Sequence, residues 1–175
     1  MRLFIAIEFD SAVRGELAGL SDKLLASAVS GRPSRPENLH LTLAFLGELP
    51  AERLPAIRQC MAQSAAGELE IRFDRLGTFH RRGGDTWWLG VYASPELMAL
   101  EARLRAALIS SDFSVEDRAF RPHITLGREI KMPPDFDKNA IERPTLTQPV
   151  HEIVLMESTR DGGKLVYRPC VRTVL

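Results

Sequence analysis

The chain has 175 residues, of which 45% are hydrophobic and 26% charged. This composition is typical of one folded globular domain and excludes a disordered or fibrous protein. Because 23 basic and 23 acidic side chains cancel, we do not expect a broad basic surface of the kind that binds duplex nucleic acid.

Strand and helix patterns alternate through the first half of the chain. A stretch rich in glycine, proline and arginine at 31–36 predicts a break between the first helix pattern and the strand that follows it. The predicted elements are a strand at 3–9, a helix at 12–28, a strand at 39–46, a helix at 51–65 and a strand at 69–80.

The second half repeats this plan. Gly83 and Gly84 indicate a hairpin turn, and Ser94 followed by Pro95 is typical of a helix start. The predicted elements are a strand at 86–92, a helix with inner leucines between 97 and 108, a strand at 120–127, a loop at 131–144 and a hairpin of strands at 150–158 and 164–174. The repetition indicates a duplicated unit that forms two lobes of one domain, residues 1–175.

The amino terminus and the cysteines bear on localisation. Glu8 and Asp10 interrupt the apolar opening, so we expect no signal peptide, and no segment is apolar for long enough to predict a membrane span. Cys60 and Cys170 are isolated thiols in a chain that is large enough to fold without disulfide bonds. These features predict a cytoplasmic protein with no membrane association.

One four-residue motif occurs twice, as HLTL from His40 and as HITL from His123. Side chains alternate across a strand, so His40 and Thr42 share one face of the first strand, and His123 and Thr125 share one face of the second. The leucines and the isoleucine between them point to the opposite face, toward the core. Each copy therefore offers one imidazole and one hydroxyl, side by side.

These residue types suit acid–base chemistry at phosphorus. An imidazole with an ordinary pKa of about 6.5 acts as acid or base near neutral pH, and a pair can hold opposite protonation states. Threonine hydroxyls donate hydrogen bonds to phosphate oxygens on which negative charge develops. A zinc site needs three or four converging ligands, whereas each motif supplies one. We therefore predict a catalytic pair, His40 and His123, with no metal and no cofactor.

Residues beside the motifs are further candidates. Alternation places Arg121 on the face of His123, where its guanidinium would contact phosphate, and places Arg128 on the other face unless the strand twists or bulges. Phe45 falls on the core side with the leucines of its strand. The aromatic candidates for stacking a nucleobase are Phe79, Trp87, Trp88 and Tyr167. Since the two tryptophans are neighbours, they face opposite sides, and we expect core packing for at least one.

The paired motifs resemble the two-histidine (2H) phosphoesterase superfamily, whose signature is two HxTx motifs. Within it, the chain is similar to the RNA 2′,3′-cyclic phosphodiesterases, formerly named 2′-5′ RNA ligases. The resemblance extends over nearly the whole chain, through the segments RLFIAIEF, NLHLTLAFLGE and RPHITLGR and a closing strand near Tyr167.

The resemblance implies a fold, a reaction and a set of roles. The fold is α+β and bilobal: two pseudo-symmetric lobes of antiparallel sheet, with outer helices, around a central cleft. The reaction is hydrolysis of an RNA 2′,3′-cyclic phosphate to a 2′-phosphate end by a monomer. His40 would be the proton donor and His123 the proton acceptor, while Thr42 and Thr125 would hold the phosphate.

Two alternatives remain open from the sequence. The same site suits 2′-5′ linked oligonucleotides or another small cyclic phosphate. A module that binds RNA ends without turnover is also compatible with the fold, although phosphate binding alone would be served as well by lysine or arginine as by histidine.

Overall fold

The structure, a computed structural model, describes residues 1–65 and 67–175. Its main elements are, in chain order, β1 (Arg2–Glu8), α1 (Ser11–Ala26), β2 (Ser30–Pro33), β3 (His40–Glu48), α2 (Leu54–Ser64), β4 (Leu69–Ile71), β5 (Phe73–Phe79), β6 (Asp85–Val91), α3 (Pro95–Ser110), β7 (His123–Lys131), β8 (Gln148–Val150), β9 (Glu152–Asp161) and β10 (Lys164–Val174).

Two four-stranded sheets carry the two motifs. The first sheet has the strand order β10-β9-β1-β3 and the second β2-β7-β6-β5, while β4 and β8 form a separate two-stranded sheet. Every strand pair is antiparallel. The HLTL motif begins β3 and the HITL motif begins β7, and these two strands are in contact. The predicted α+β fold with antiparallel sheets is therefore confirmed.

The helices are divided between the sheets. Helices α2 and α3 pack on each other and contact β10 and β3 of the first sheet, whereas α1 contacts β2 and β7 of the second. Each long helix begins at a side-chain cap: Asp10 accepts a hydrogen bond from the amide of Val13, and Ser94 accepts one from the amide of Leu97. Such caps satisfy amide groups that have no partner inside the helix. None of the helices described is long and apolar enough to span a membrane.

Three details differ from the predicted elements. Strand β2 forms inside the predicted break, because its backbone pairs with β7 although its sequence is unfavourable for a strand. The predicted strand at 69–80 is divided at Arg72 into β4 and β5, which belong to different sheets. The first strand of the closing hairpin is likewise divided at His151, between β8 and β9. The additional pairings, of β2 with β7 and of β4 with β8, join segments that lie far apart in sequence, so local patterns do not reveal them.

Candidate active site

The motif side chains lie where alternation predicts. His40, Thr42, His123 and Thr125 are half-buried, whereas the residues between them point into the core, where they are almost fully buried: Leu41, Leu43, Ile124 and Leu126. A cavity of about 340 Å³ is lined by Thr42 from the motif of β3 and by His123 from the motif of β7, whereas His40 and Thr125 are not among its lining residues. The fold therefore brings the two halves of the repeat to one space.

Both imidazoles are held in the same way. The Nδ1 atom of His40 lies 2.7 Å from the carbonyl oxygen of Asn38, and Nδ1 of His123 lies 2.6 Å from the carbonyl oxygen of Arg121. A carbonyl only accepts, so Nδ1 carries the proton in each neutral ring. Nε2 is therefore the ring atom available for proton transfer, and Nε2 of neutral His40 accepts a 3.0 Å hydrogen bond from the hydroxyl of Thr42.

Aromatic rings from distant strands fix the orientation of His40. Its ring centroid lies 4.8 Å from that of Phe4 on β1 and 5.1 Å from that of Tyr167 on β10. Phe4 and Tyr167 also pack edge to face, 4.8 Å apart. Tyr167, one of the candidates for base stacking, thus contacts the imidazole of His40. Phe4 was missed, because nothing in an apolar first strand distinguishes a cleft residue from a core residue.

His123 has an equivalent aromatic support from β5 and β6. The ring of Phe79 is 5.1 Å away and the ring of Trp88 is 5.9 Å away. Trp88 lies flat across the neighbouring strand, where a Cβ on Gly77 would be only 2.2 Å from the indole ring. Trp87 is 5% exposed and belongs to the core. The two tryptophans thus face opposite sides, as predicted, and only Trp88 contacts the imidazole.

Each motif strand contains an extra residue directly after its threonine. On β3, Ala44 and Thr42 pair with consecutive residues of β1, which leaves Leu43 unpaired. On β7, Gly127 and Thr125 pair with consecutive residues of β6, which leaves Leu126 unpaired. These are β-bulges at equivalent positions of the repeat. A bulge shifts the alternation by one, so residues beyond it exchange faces.

The placement of Phe45 on the core side is therefore wrong. Its side chain is 37% exposed and lines the cavity, and the guanidinium carbon of Arg2 lies 5.2 Å from its ring centroid. Leu46 takes the core position instead, at 7% exposure. The reversal follows from the bulge at Leu43.

The same reversal brings Arg128 to the face of His123. Its positive charge contributes to the lowered pKa of His40 and of His123, and it partly offsets the burial that raises the pKa of Tyr167. Arg121 also lines the cavity, with an exposed side chain. However, the group of Arg121 that contacts His123 is the backbone carbonyl.

The pKa of each histidine lies below the ordinary value, and burial is the main cause. The hydrogen bond to Asn38 and the charge of Glu8 raise the pKa of His40, while Arg128 and His123 lower it. For His123, the hydrogen bond to the carbonyl of Arg121 raises the pKa, while Arg118 and Arg128 lower it. The carboxylate of Glu8 therefore raises the pKa of His40 but is not among the charges that act on His123.

Across residues 1–65 and 67–175, no three side chains of the types that bind metals cluster closely enough to hold an ion. The predicted absence of a metal is tested by the chelator experiment described below.

Comparison with known proteins identifies the family. Residues 13–162 match the model of the 2′-5′ RNA ligase superfamily. An RNA 2′,3′-cyclic phosphodiesterase from Thermotoga maritima is 32% identical over 173 residues, which are 96% of this chain and 92% of that protein. One from Escherichia coli is 31% identical over 99% of this chain and 96% of that protein.

Solved structures agree with this match. The crystal structure of E. coli LigT complexed with 3′-AMP superimposes with a TM-score of 0.85 at 31% identity, over 99% of this chain and 97% of that one. TT0787 of Thermus thermophilus superimposes with a TM-score of 0.82 at 28% identity, over 100% and 98% of the two chains. The chain belongs to the 2′-5′ RNA ligase superfamily.

Proposed function

We propose that this protein hydrolyses the 2′,3′-cyclic phosphate at RNA ends to a 2′-phosphate, without a metal, by acid–base catalysis with two histidines. The observation that carries the proposal is the matched pair of imidazoles, each with Nδ1 hydrogen-bonded to a backbone carbonyl two residues earlier, on two strands that are in contact. Four relatives that are 30% to 34% identical to this chain are named RNA 2′,3′-cyclic phosphodiesterase.

The reaction assigns one proton transfer to each ring. Neutral His123 takes a proton from water on Nε2 as the water oxygen bonds to phosphorus. Protonated His40 gives its Nε2 proton to the 3′ oxygen as the bond from phosphorus to that oxygen breaks. The 2′ ester bond remains, so the product is a 2′-phosphate and a free 3′ hydroxyl. His40 ends neutral and His123 ends protonated, and solvent restores both.

The phosphate is held by groups from both strands. Thr42 and Thr125 donate hydrogen bonds to its non-bridging oxygens, and the guanidinium of Arg128 balances the charge that develops on them. Arg121, at the rim of the cavity, takes a lesser part. Support for Arg128 comes from its electrostatic effect on both histidines.

The direction of proton transfer rests on the resemblance and on the charges near each ring. The carboxylate of Glu8, whose residue pairs with His40 across β1 and β3, favours the protonated form of His40. The neighbours Arg118 and Arg128 favour the neutral form of His123. His40 is more buried than His123, and burial lowers its pKa, so this effect favours the neutral form of His40 and opposes the effect of the charges. The signs of the charges support His40 as donor and His123 as acceptor.

The organisation of the protein is part of the proposal. Residues 1–175 act as one domain of two lobes, each with one HxTx motif, and as a monomer, because one chain contributes both motifs. Cys60 and Cys170 are both free thiols, which supports a reducing, cytoplasmic location.

The decisive experiment uses a short RNA that ends in a 2′,3′-cyclic phosphate, incubated with the purified protein in the presence of a chelator. Mass spectrometry and sensitivity to a phosphatase identify the terminal phosphate. A 2′-phosphate product is expected. A 3′-phosphate product would show that the 2′ oxygen, not the 3′ oxygen, is the leaving group. Activity that is lost with chelator and restored by metal would contradict the metal-free mechanism. Tight binding without any product would favour the binding module.

The pH profile of kcat/KM is expected to be bell-shaped, with its maximum below about pH 6.5. Rising pH removes the proton that His40 must donate, and falling pH protonates His123, which must be neutral. The maximum lies midway between the two macroscopic pKa values. Since burial lowers the pKa of both rings, that midpoint falls below the ordinary imidazole value. Initial rates at low substrate concentration, from about pH 4 to 9, measure it; a maximum above neutral pH would contradict this pairing.

A further inference from the structure

A buried hydroxyl of α1 holds the bulge of β7. Ser21 is 1% exposed, and its Oγ donates a 2.8 Å hydrogen bond to the carbonyl oxygen of Leu126 across 105 residues of sequence. The same carbonyl accepts a 2.7 Å hydrogen bond from the amide of Ser34. Leu126 is the extra residue of the bulge. A polar side chain buried on an apolar helix face is costly unless it is bonded in this way.

The backbone just beyond the bulge is packed tightly on its other side. A Cβ on Gly127 would lie 2.6 Å from the Cδ1 atom of Ile130 and 2.9 Å from the carbonyl oxygen of Arg32 on β2. The strand is therefore confined between α1 and β2 at the point where its alternation reverses. Arg128 is the next residue, so the face of β7 on which it lies depends on that reversal.

We propose that Ser21 is a positioning residue, whose hydrogen bond to the bulged Leu126 holds Arg128 against the phosphate. The inference rests on the proposed function, in which Arg128 contacts the phosphate. Ser21 itself contacts none of the reacting atoms and acts only through the backbone of β7.

Loss of the hydroxyl should change geometry more than folding. In Ser21→Ala, the carbonyl of Leu126 keeps the amide of Ser34 as a donor, so no buried acceptor is left without a partner. A typical net hydrogen bond is worth about 1 kcal/mol, a small part of the stability of a domain. The bulge loses its connection to α1, and the guanidinium two residues later is no longer held in one place.

A double-mutant cycle tests this connection. We expect Ser21→Ala to lower kcat/KM by a factor of about 5 to 10, but by less than about twofold when Arg128 is already glutamine. Ser21→Thr, which retains the hydroxyl, should recover more of the activity than its isostere Ser21→Val. Equal losses from Ser21→Ala in both backgrounds would overturn the proposal, because they would show that Ser21 acts independently of Arg128.

Ser64 provides a matched control. It is also fully buried, but its hydroxyl donates to the carbonyl of Met61 within α2. Ser64→Ala removes a comparable hydrogen bond and should leave kcat/KM unchanged in both backgrounds. If Ser64→Ala lowers kcat/KM as much as Ser21→Ala does, the loss in Ser21→Ala reflects general destabilisation and the proposal is wrong.

A second readout does not require turnover. The side-chain charges acting on the two histidines are those of Arg128, Arg118 and Glu8, together with the effect of His123 on His40. If Ser21 holds Arg128 in place, Ser21→Ala raises the pKa of both histidines, in the same direction as Arg128→Gln, when the rings are titrated by NMR. Unchanged titrations in Ser21→Ala would contradict the inference. An inactive wild-type protein that still shows these shifts would instead contradict the proposed function alone.

Discussion

Replacement of His123 or His40 by alanine is expected to lower kcat/KM on a 2′,3′-cyclic phosphate RNA by a factor of about 10² to 10⁴, the usual contribution of one acid or base. Without His123 no group in the site takes the proton from water, and without His40 the 3′ oxygen leaves as an alkoxide. Because the two rings act in one step, the double variant should lose much less than the product of the single losses.

The two other histidines of the chain are the control. His80 pairs with Asp85 and His151 pairs with Glu68, and both are exposed. Alanine at either position removes an imidazole of the same kind and should leave kcat/KM within about twofold of wild type. Circular dichroism and thermal unfolding establish that the four variants are folded. A folded His40 or His123 variant with near wild-type turnover would remove that residue from the mechanism.

Replacement of Arg128 by glutamine is expected to lower kcat/KM by a factor of about 10² to 10³, as for the loss of one preorganised donor to a developing anion. The loss should fall mainly on kcat, because the charge on the phosphate oxygens grows in the transition state. Arg128→Lys should recover only part of the activity, since a single ammonium does not reproduce the planar array of donors of a guanidinium.

Arg121→Gln is the matched control for this effect. Both arginines lie close to His123 in sequence and both have exposed side chains, but only the charge of Arg128 acts on both histidines. We expect Arg121→Gln to change kcat/KM by no more than about threefold, an effect typical of an exposed charge. If Arg121→Gln costs as much as Arg128→Gln, the guanidinium that holds the phosphate has been misidentified.

The positive charge of Arg128 has opposite effects on phosphate binding and on the protonation of His40. Arg128 lowers the pKa of His40, the proposed acid, and so reduces the fraction of molecules ready to react. Once a phosphate is bound, its negative charge faces the same guanidinium and both imidazoles, and raises their pKa values. Binding of substrate would therefore increase the fraction of His40 that is protonated. The pH maximum of kcat should lie above that of kcat/KM for this reason.

The sequence by itself was sufficient to place the side chains of the repeat. An alternation of two holds over four residues of any strand, so HLTL and HITL alone place His40, Thr42, His123 and Thr125 opposite their apolar neighbours. The α+β character followed in the same way from alternating strand and helix patterns. These are local properties, because they depend only on residues within a few positions of one another.

Only the tertiary structure decided which other residues meet the histidines. Phe4 and Tyr167 reach His40 from strands near opposite ends of the chain, and no local pattern relates them. The bulges at Leu43 and Leu126 depend on the register of β3 with β1 and of β7 with β6, not on the sequence of the bulged strand alone.

That dependence explains the residues that sequence reasoning misplaced. Beyond each bulge the alternation reverses, so Phe45 leaves the core and Arg128 falls on the face of His123, whose pKa its charge lowers. No local pattern identifies Ser21 either, because the carbonyl that its hydroxyl bonds lies 105 residues away in sequence. Strand register and helix docking are set by the packing of the whole chain, and they decided which residues surround the two histidines.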